Sequence, residues 1–309
     1  MKWAKINGLI AATFTPMHEN GNLNLGLIES YIQHLVNLGV KHVFVNGTTG
    51  EAHSLTVDER KAVAEAWVKH GRSKLDRIIV HCGSGNLTET KDLLRHAAGL
   101  GVDAVAVVGP TYFKPSTLSD LVDYCAEAAK EAMNTPFMYY HIPAQTGINI
   151  RLTDFFKEAH GKIPTLVGAK FTASDLHDAV SASLLFDSNY DVLIGSDGMI
   201  LGALSMGLNG FIGITFNIVG KPCNRLIKAF DDGDLKKARG EQIHVNEFMT
   251  LTGVISGTNI LIATLKALVP KYFPGINLGP TRKPITPISN EKVEELKTKL
   301  ETIRFKDII

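Results

Sequence analysis

Residues 42–69 read HVFVNGTTGEAHSLTVDERKAVAEAWVK, and they hold one complete structural unit. The opening run HVFVNG (42–47) is apolar without alternation, the mark of a strand buried on both faces. Gly47-Thr48-Thr49-Gly50-Glu51 then interrupts it. Thr56 stands three residues before Glu59, a capping box, and Val63 and Trp67 continue the apolar face of a helix over 56–69. Strand, loop and helix in that order predict a βα unit.

The unit recurs along the chain. Short apolar runs lie at 8–16, 42–47, 77–83, 104–110, 137–143, 166–171, 192–197 and 210–215. Helical patterns lie between them. Ile28, Ile32 and Leu35 line one face over 25–38, and Leu121, Cys125 and Ala128 do so over 117–132. Regular alternation predicts right-handed βαβ connections. Eight such runs predict an α/β fold, a TIM (β/α)8 barrel. An open doubly wound sheet remains compatible with the pattern alone. After residue 221 the strand signals stop. Pro222 marks a helix start, and 222–231, 234–251, 257–268 and 290–303 read as helices, with FDDGD (230–234) a turn between two of them. The Gly- and Pro-rich segment 273–287 reads as a loop. The expected organisation is 1–221 for the barrel strands and most barrel helices, and 222–309 for the last barrel helix and a C-terminal helical extension.

Composition narrows the function classes. The chain has 309 residues, 45% of them hydrophobic, with 32 basic against 31 acidic residues and a net charge of +1. No basic block or arginine-rich stripe speaks for nucleic acid. No window approaches a membrane span, and the opening apolar stretch is short and broken by Thr13 and Thr15, unlike a signal peptide. Cys82, Cys125 and Cys223 are far apart and odd in number, which fits reduced thiols in a cytoplasmic protein. The 11 histidines show no ligand spacing, so no metal is expected.

In a (β/α)8 barrel the chemistry sits at the C-terminal ends of the strands. That rule selects the turn Asn46–Glu51, then Tyr139, Tyr140 and His141 on strand five, Lys170 on strand six, Asp197 on strand seven and Thr215 on strand eight. Lys170 is the unusual member. It closes the apolar run LVGAK, and the Thr172, Ser174 and Asp175 that follow read as a helix entry. A lysine at a strand end most often snorkels to solvent. Enclosed among apolar groups, an amine instead loses solvation of its charged form, and the neutral amine attacks a carbonyl to form a Schiff base. Tyr140, one strand away, is placed to move protons as a general acid and base. The Gly47-Thr48-Thr49-Gly50 turn offers hydroxyls and backbone N–H groups, a nest suited to a carboxylate. Taken alone, such hydroxyls more often only form turns. Together these residues point to a Schiff-base enzyme acting on a 2-oxo acid.

GTTGE (47–51), YYHIPAQTG (139–147) and GAKFTASDL (168–176) also carry a resemblance. The chain resembles the class I pyruvate-dependent aldolases that include dihydrodipicolinate synthase and the sialic acid lyases, over residues 7 to about 285. The resemblance implies a TIM barrel with a helical C-terminal extension, no cofactor beyond the imine, and a homotetramer. It makes Lys170 the Schiff-base lysine, Tyr140 the proton-transferring phenol, and Thr48, Thr49 and Gly50 the carboxylate site. Thr172 would touch the sugar-derived part of the substrate, Gly195 and Asp197 would line the far end, and Tyr112 in PTYFKP (110–115) would reach a neighbouring subunit's site. MHENG, FVNGTTGE, FKP and YYHIPA are most similar to the animal-type sialic acid lyases. Gln145 replaces the arginine of the synthase branch. Gly198 and Ile214 stand where sialic acid lyases carry an acidic residue and a serine facing the polyol tail. Cleavage of sialic acid to pyruvate and N-acetylmannosamine is implied, with an aldolase or hydratase for another 2-oxo sugar acid as the alternative and a non-catalytic sugar-acid binder as a third.

Overall fold

In a computed structural model, which describes residues 3–253 and 258–309, each of the eight apolar runs contains a strand. These are β1 (Gly8–Ala12), β2 (His42–Val45), β3 (Arg77–His81), β4 (Ala104–Val108), β5 (Phe137–His141), β6 (Leu166–Phe171), β7 (Asp191–Ile194) and β8 (Gly210–Gly213). They pair in sequence order into a closed barrel, which decides between the two sheets the pattern allowed. The runs β4, β5 and β6 are buried at every residue, as strands covered on both faces must be.

Most strands end earlier than the apolar runs. β1 stops at Ala12 rather than 16, β7 at Ile194 rather than Asp197, and β8 at Gly213 rather than Thr215. Asp197 opens a short 3-10 turn, Asp197–Met199, and Thr215 is the N-cap of the next helix. Residues past the last ladder bond stay buried because the loops fold back over the strand ends, so hydrophobicity persists where pairing has ceased. A second correction concerns Pro222. The helix Phe216–Asp231 starts six residues before it, but Val219 is non-helical (φ −103°, ψ 32°). The helix restarts there, so Pro222 lies in a first turn, where a missing N–H costs little.

The other helices follow their sequence signals. Thr56 and Glu59 form the expected capping box, with Glu59 N to Thr56 Oγ1 at 3.2 Å and Thr56 N to Glu59 Oε2 at 2.9 Å, ahead of the helix Val57–Gly71. Asp175 caps Leu176–Ser183 and Asp234 caps Leu235–Leu251. Residue 257, the expected start of the next helix, lies outside the described residues, and the helix is described over Thr258–Tyr272. Among the described residues no helix is long and apolar enough to cross a membrane. All three cysteines are buried free thiols, and burial pushes the Cys125 thiol up.

The chain divides into two compact units, one of residues up to Gly8 with Arg77–Ile212, the other of Leu9–Asp76 with Gly213–Ile309. In the first, Tyr139 stacks on Phe155 at 4.3 Å, and Phe155 in turn meets Phe156 with ring centres 6.1 Å apart. Gly168 is required there by close approach, since an added Cβ would lie 2.0 Å from the carbonyl oxygen of Asp191, its register partner on β7. In the second, Tyr31 meets Trp67 edge-on at 5.4 Å. Asn217 ties that unit together: its Nδ2 donates to the Ala12 carbonyl at 2.9 Å and to that of Ile214 at 2.7 Å, and its Oδ1 accepts from the Tyr31 hydroxyl.

Candidate active site

Lys170 is the penultimate residue of β6 and only 5% exposed, so it does not snorkel. Its register partner on β5 is Tyr140, and its Nζ lies 4.2 Å from the centre of the Tyr140 ring. A cation over an aromatic face is held there by the ring quadrupole. Tyr140 is itself 3% exposed. Amine and phenol, selected separately in the sequence, are neighbours.

Thr172 follows directly. Its backbone N–H donates to the His141 carbonyl at 2.7 Å. Its Oγ1 is buried with no hydrogen-bond partner among the described residues, in a fold where nearly all buried polar groups find one. A Cβ added to Gly195 would lie 2.1 Å from that oxygen, so the residue just after β7 has to be glycine. Gly195 N–H in turn donates to the Phe171 carbonyl at 2.7 Å. Asp197 is buried and Gly198 half-buried in the turn that follows. His141 stacks on Phe171 with rings 4.9 Å apart and nearly parallel, and its Nε2 meets the Ile150 carbonyl at 2.9 Å. Burial holds that imidazole below its ordinary pKa. Tyr112 is not gathered to these residues: it is 83% exposed, paired edge-on with Phe113, which is 85% exposed.

The turn carrying Thr48, Thr49 and Gly50 belongs to the other unit and is tightly fixed. Asn46 and Glu51, at its two ends, are left-handed at φ 59° and 56°. Thr15 Oγ1 donates to the Gly50 carbonyl at 2.7 Å. A side chain at Gly50 would press on the Thr13 carbonyl at 3.2 Å and Asn46 Cα at 3.3 Å. Ile214, half-buried, precedes the N-cap Thr215.

Glu51 acquires a role that the sequence reading missed. Its Oε1 accepts from Lys266 Nζ at 2.7 Å, and its Oε2 accepts from the backbone N–H of Arg282 at 2.7 Å. The side chains of Glu51 and Lys266 are 0% and 1% exposed. Burial lowers the Lys266 pKa, and the Glu51 carboxylate opposes that shift. Arg282 extends the network, with a two-pronged pair to Glu59 at 2.7 and 2.6 Å, which holds the Glu59 carboxyl below its ordinary range. Lys266 was findable: it is the one charge in LIATLKALV (261–269), whose Ile262, Leu265, Leu268 and Val269 are all buried. Removing one member of a buried pair strands the other charge, at a cost of about 3–5 kcal/mol. Glu51→Gln is therefore expected to lower unfolding stability by about that much, and Glu51→Gln with Lys266→Met to recover most of it. Urea titration reads both, and a single-variant loss under about 1 kcal/mol would show the pair to be as cheap as a surface one.

Among the described residues no group of three or more His, Cys, Asp or Glu side chains is placed to hold a metal ion. The profile of the Dihydrodipicolinate synthetase family matches residues 5–303. N-acetylneuraminate lyase of Gallus gallus is 40% identical over 305 residues, 98% of each chain. The solved Proteus mirabilis N-acetylneuraminate lyase superposes with a TM-score of 0.91 at 33% identity, covering 98% of this chain and 100% of that one. The sialic acid aldolase of Ruminococcus gnavus, solved as its catalytic lysine mutant, gives 0.90 at 28% identity over 99% of each. With a match across nearly its whole length and a barrel in common with these structures, the chain belongs to the dihydrodipicolinate synthetase family.

Proposed function

We propose that the chain is a Schiff-base aldolase that cleaves N-acetylneuraminate to pyruvate and N-acetylmannosamine. The observation that carries this reading is the buried Lys170 amine 4.2 Å over the Tyr140 ring. Lys170 Nζ attacks the C2 carbonyl of the open-chain sugar acid, and water leaves as the imine forms and takes up a proton to become the iminium. The C3–C4 bond then breaks with its electron pair moving into the iminium, giving an enamine. Tyr140 relays the proton of the C4 hydroxyl, taking it up as the aldehyde of N-acetylmannosamine departs and giving its own to C3 of the enamine. Protonation at C3 and hydrolysis release pyruvate and free the amine. The imine is the electron sink, so chelators are expected to leave activity intact. Thr48, Thr49 and Gly50 are assigned to the substrate carboxylate, on the rule that barrel chemistry gathers at C-terminal strand ends. The unpartnered Thr172 Oγ1 supports a hydrogen bond from Thr172 to the sugar portion. The lyase activity named for the Gallus gallus and Proteus mirabilis relatives, and the catalytic lysine of the Ruminococcus gnavus aldolase, support the same reading.

Pyruvate release across a panel of sialic acids and shorter 2-oxo sugar acids tests it. An ester of N-acetylneuraminate, lacking the carboxylate charge, is expected to be poorly cleaved. No pyruvate from any member would overturn the aldolase reading.

Gly198 and Ile214 favour a specific second reading, a preference for another 2-oxo sugar acid. An acidic side chain at 198 would accept hydrogen bonds from a polyol, and a serine at 214 would add one. Each bond is worth about 0.5–1.5 kcal/mol, or 1.5–3 with a charged partner. Their joint absence amounts to about 2–4 kcal/mol, or roughly 30- to 1000-fold in kcat/KM. Activity on N-acetylneuraminate is expected to be weak by that factor, mainly through KM, because the tail is remote from the scissile bond. Gly198→Glu with Ile214→Ser is expected to recover part of it, while a substrate lacking the tail responds to neither change. High kcat/KM in the unaltered protein, with no gain in the double variant, would overturn this account of the tail.

The homotetramer is part of the same proposal. Tyr112 and Phe113 place two aromatic rings in solvent, surface that a second copy would cover. Sedimentation of the purified protein is expected to show an assembly, and Tyr112→Arg to weaken it. A monomer at micromolar concentration would remove this part.

A further inference from the structure

We infer that His81 is a positioning residue for Tyr140, holding its phenol for the carbon–carbon bond step without touching substrate. The inference rests on the reading of Tyr140 as the proton-transferring group.

His81 is the last residue of β3 and 2% exposed. Its imidazole meets the Tyr140 ring edge-on, with centroids 5.6 Å apart and planes at 88°. β3 and β5 are not hydrogen-bonded neighbours, because β4 lies between them, with Ala106 in register with His81 and Val108 in register with Tyr140. The contact therefore passes across an intervening strand, and only a ring long enough to span it can make it. The imidazole is in turn seated by the backbone. A Cβ at Gly83 would lie 2.9 Å from His81 Nε2 and 2.8 Å from the backbone nitrogen of Val108, so no side chain fits beneath it.

Two groups of different chemistry touch the Tyr140 ring. Lys170 Nζ lies 4.2 Å from the ring centre, and the His81 ring packs at right angles. The Lys170 contact changes in geometry and charge as Lys170 passes through iminium and enamine. The His81 contact involves no reacting atom and persists along the reaction. A phenol free to swing would spend much of its time out of reach of the C4 hydroxyl, and a displacement of about 1 Å can cost on the order of 10²-fold. Amine attack on the carbonyl places no such demand on His81.

That difference supplies the test. In the purified full chain, His81→Ala is expected to lower kcat for pyruvate release about 10- to 100-fold, with little change in KM. Trapping of pyruvate on Lys170 by borohydride should proceed to the same extent as in the unaltered protein. His81→Phe, which keeps a ring in the same place, should restore most of kcat. His81→Ala added to Tyr140→Phe should cost little further, because the group it positions is already gone; a merely structural role would add its full effect. If His81→Ala does not fold, His81→Gln, which fills space without a ring, takes its place with the same expected loss. A kcat within about threefold of the unaltered protein, well short of the expected loss, overturns the inference. So does His81→Phe being as slow as His81→Ala, which would make the imidazole a proton or hydrogen-bond partner instead. Loss of trapping also overturns it, by placing His81 in imine formation. If Tyr140→Phe itself retains full kcat, the underlying reading fails together with this one. If Tyr140→Phe is slow and His81→Ala is not, this inference fails alone.

Discussion

Lys170→Met is expected to abolish pyruvate release, by more than about 10⁴-fold, the scale on which loss of a covalent nucleophile is felt. Methionine matches the length of the lysine stem and suits a site only 5% exposed, so the barrel should fold with undiminished stability. In the unaltered protein, borohydride added with pyruvate should reduce the imine to a stable secondary amine, carrying the three-carbon acid on Lys170 and inactivating the enzyme. Peptide mass spectrometry locates the adduct. An adduct on a different lysine, or full turnover by Lys170→Met, would end the Schiff-base assignment. The same measurement separates an aldolase from a binder, which has no use for a covalent bond.

Tyr140→Phe removes one oxygen and leaves the ring, so both its packing on His81 and its contact with Lys170 should persist. The expected loss in kcat is roughly 10²–10⁴-fold, the usual worth of a positioned acid–base group. Imine formation should survive better than bond cleavage. The variant is therefore expected to be trapped on Lys170 by borohydride while releasing pyruvate slowly from the sugar acid. Near-normal kcat would return Tyr140 to a packing role, and its register pairing with Lys170 would then be a feature of the sheet alone.

Lys170 was conspicuous in the sequence because a charge closes an apolar run, and burial of that charge bore out the oddity. Tyr140 was not, since a tyrosine in FMYYHIP is as readily core. Its neighbour Tyr139 is just that, stacked on Phe155. Alternation along a strand sends consecutive residues to opposite faces, and only the closed barrel decides which face is the inside.

The sequence by itself determined the elements and their order. Apolar runs without alternation, the Thr56–Glu59 box and the Asp234 cap act within a turn or two of chain, and local physics of that range is written in neighbouring residues. Strand ends were less legible, because loops folded over a barrel rim are as apolar as the strands they follow, and Asp197 and Thr215 lie beyond the ladder for that reason. Closure itself was undecided, since strands buried on both faces look the same in an open sheet. Tertiary structure alone brought Glu51 to Lys266 across 215 residues, set Thr172 over the bare Cα of Gly195, and packed His81 on Tyr140 past an intervening strand. Each of those contacts depends on register and ring closure, which are cooperative properties of the strands together and leave no mark in any one segment.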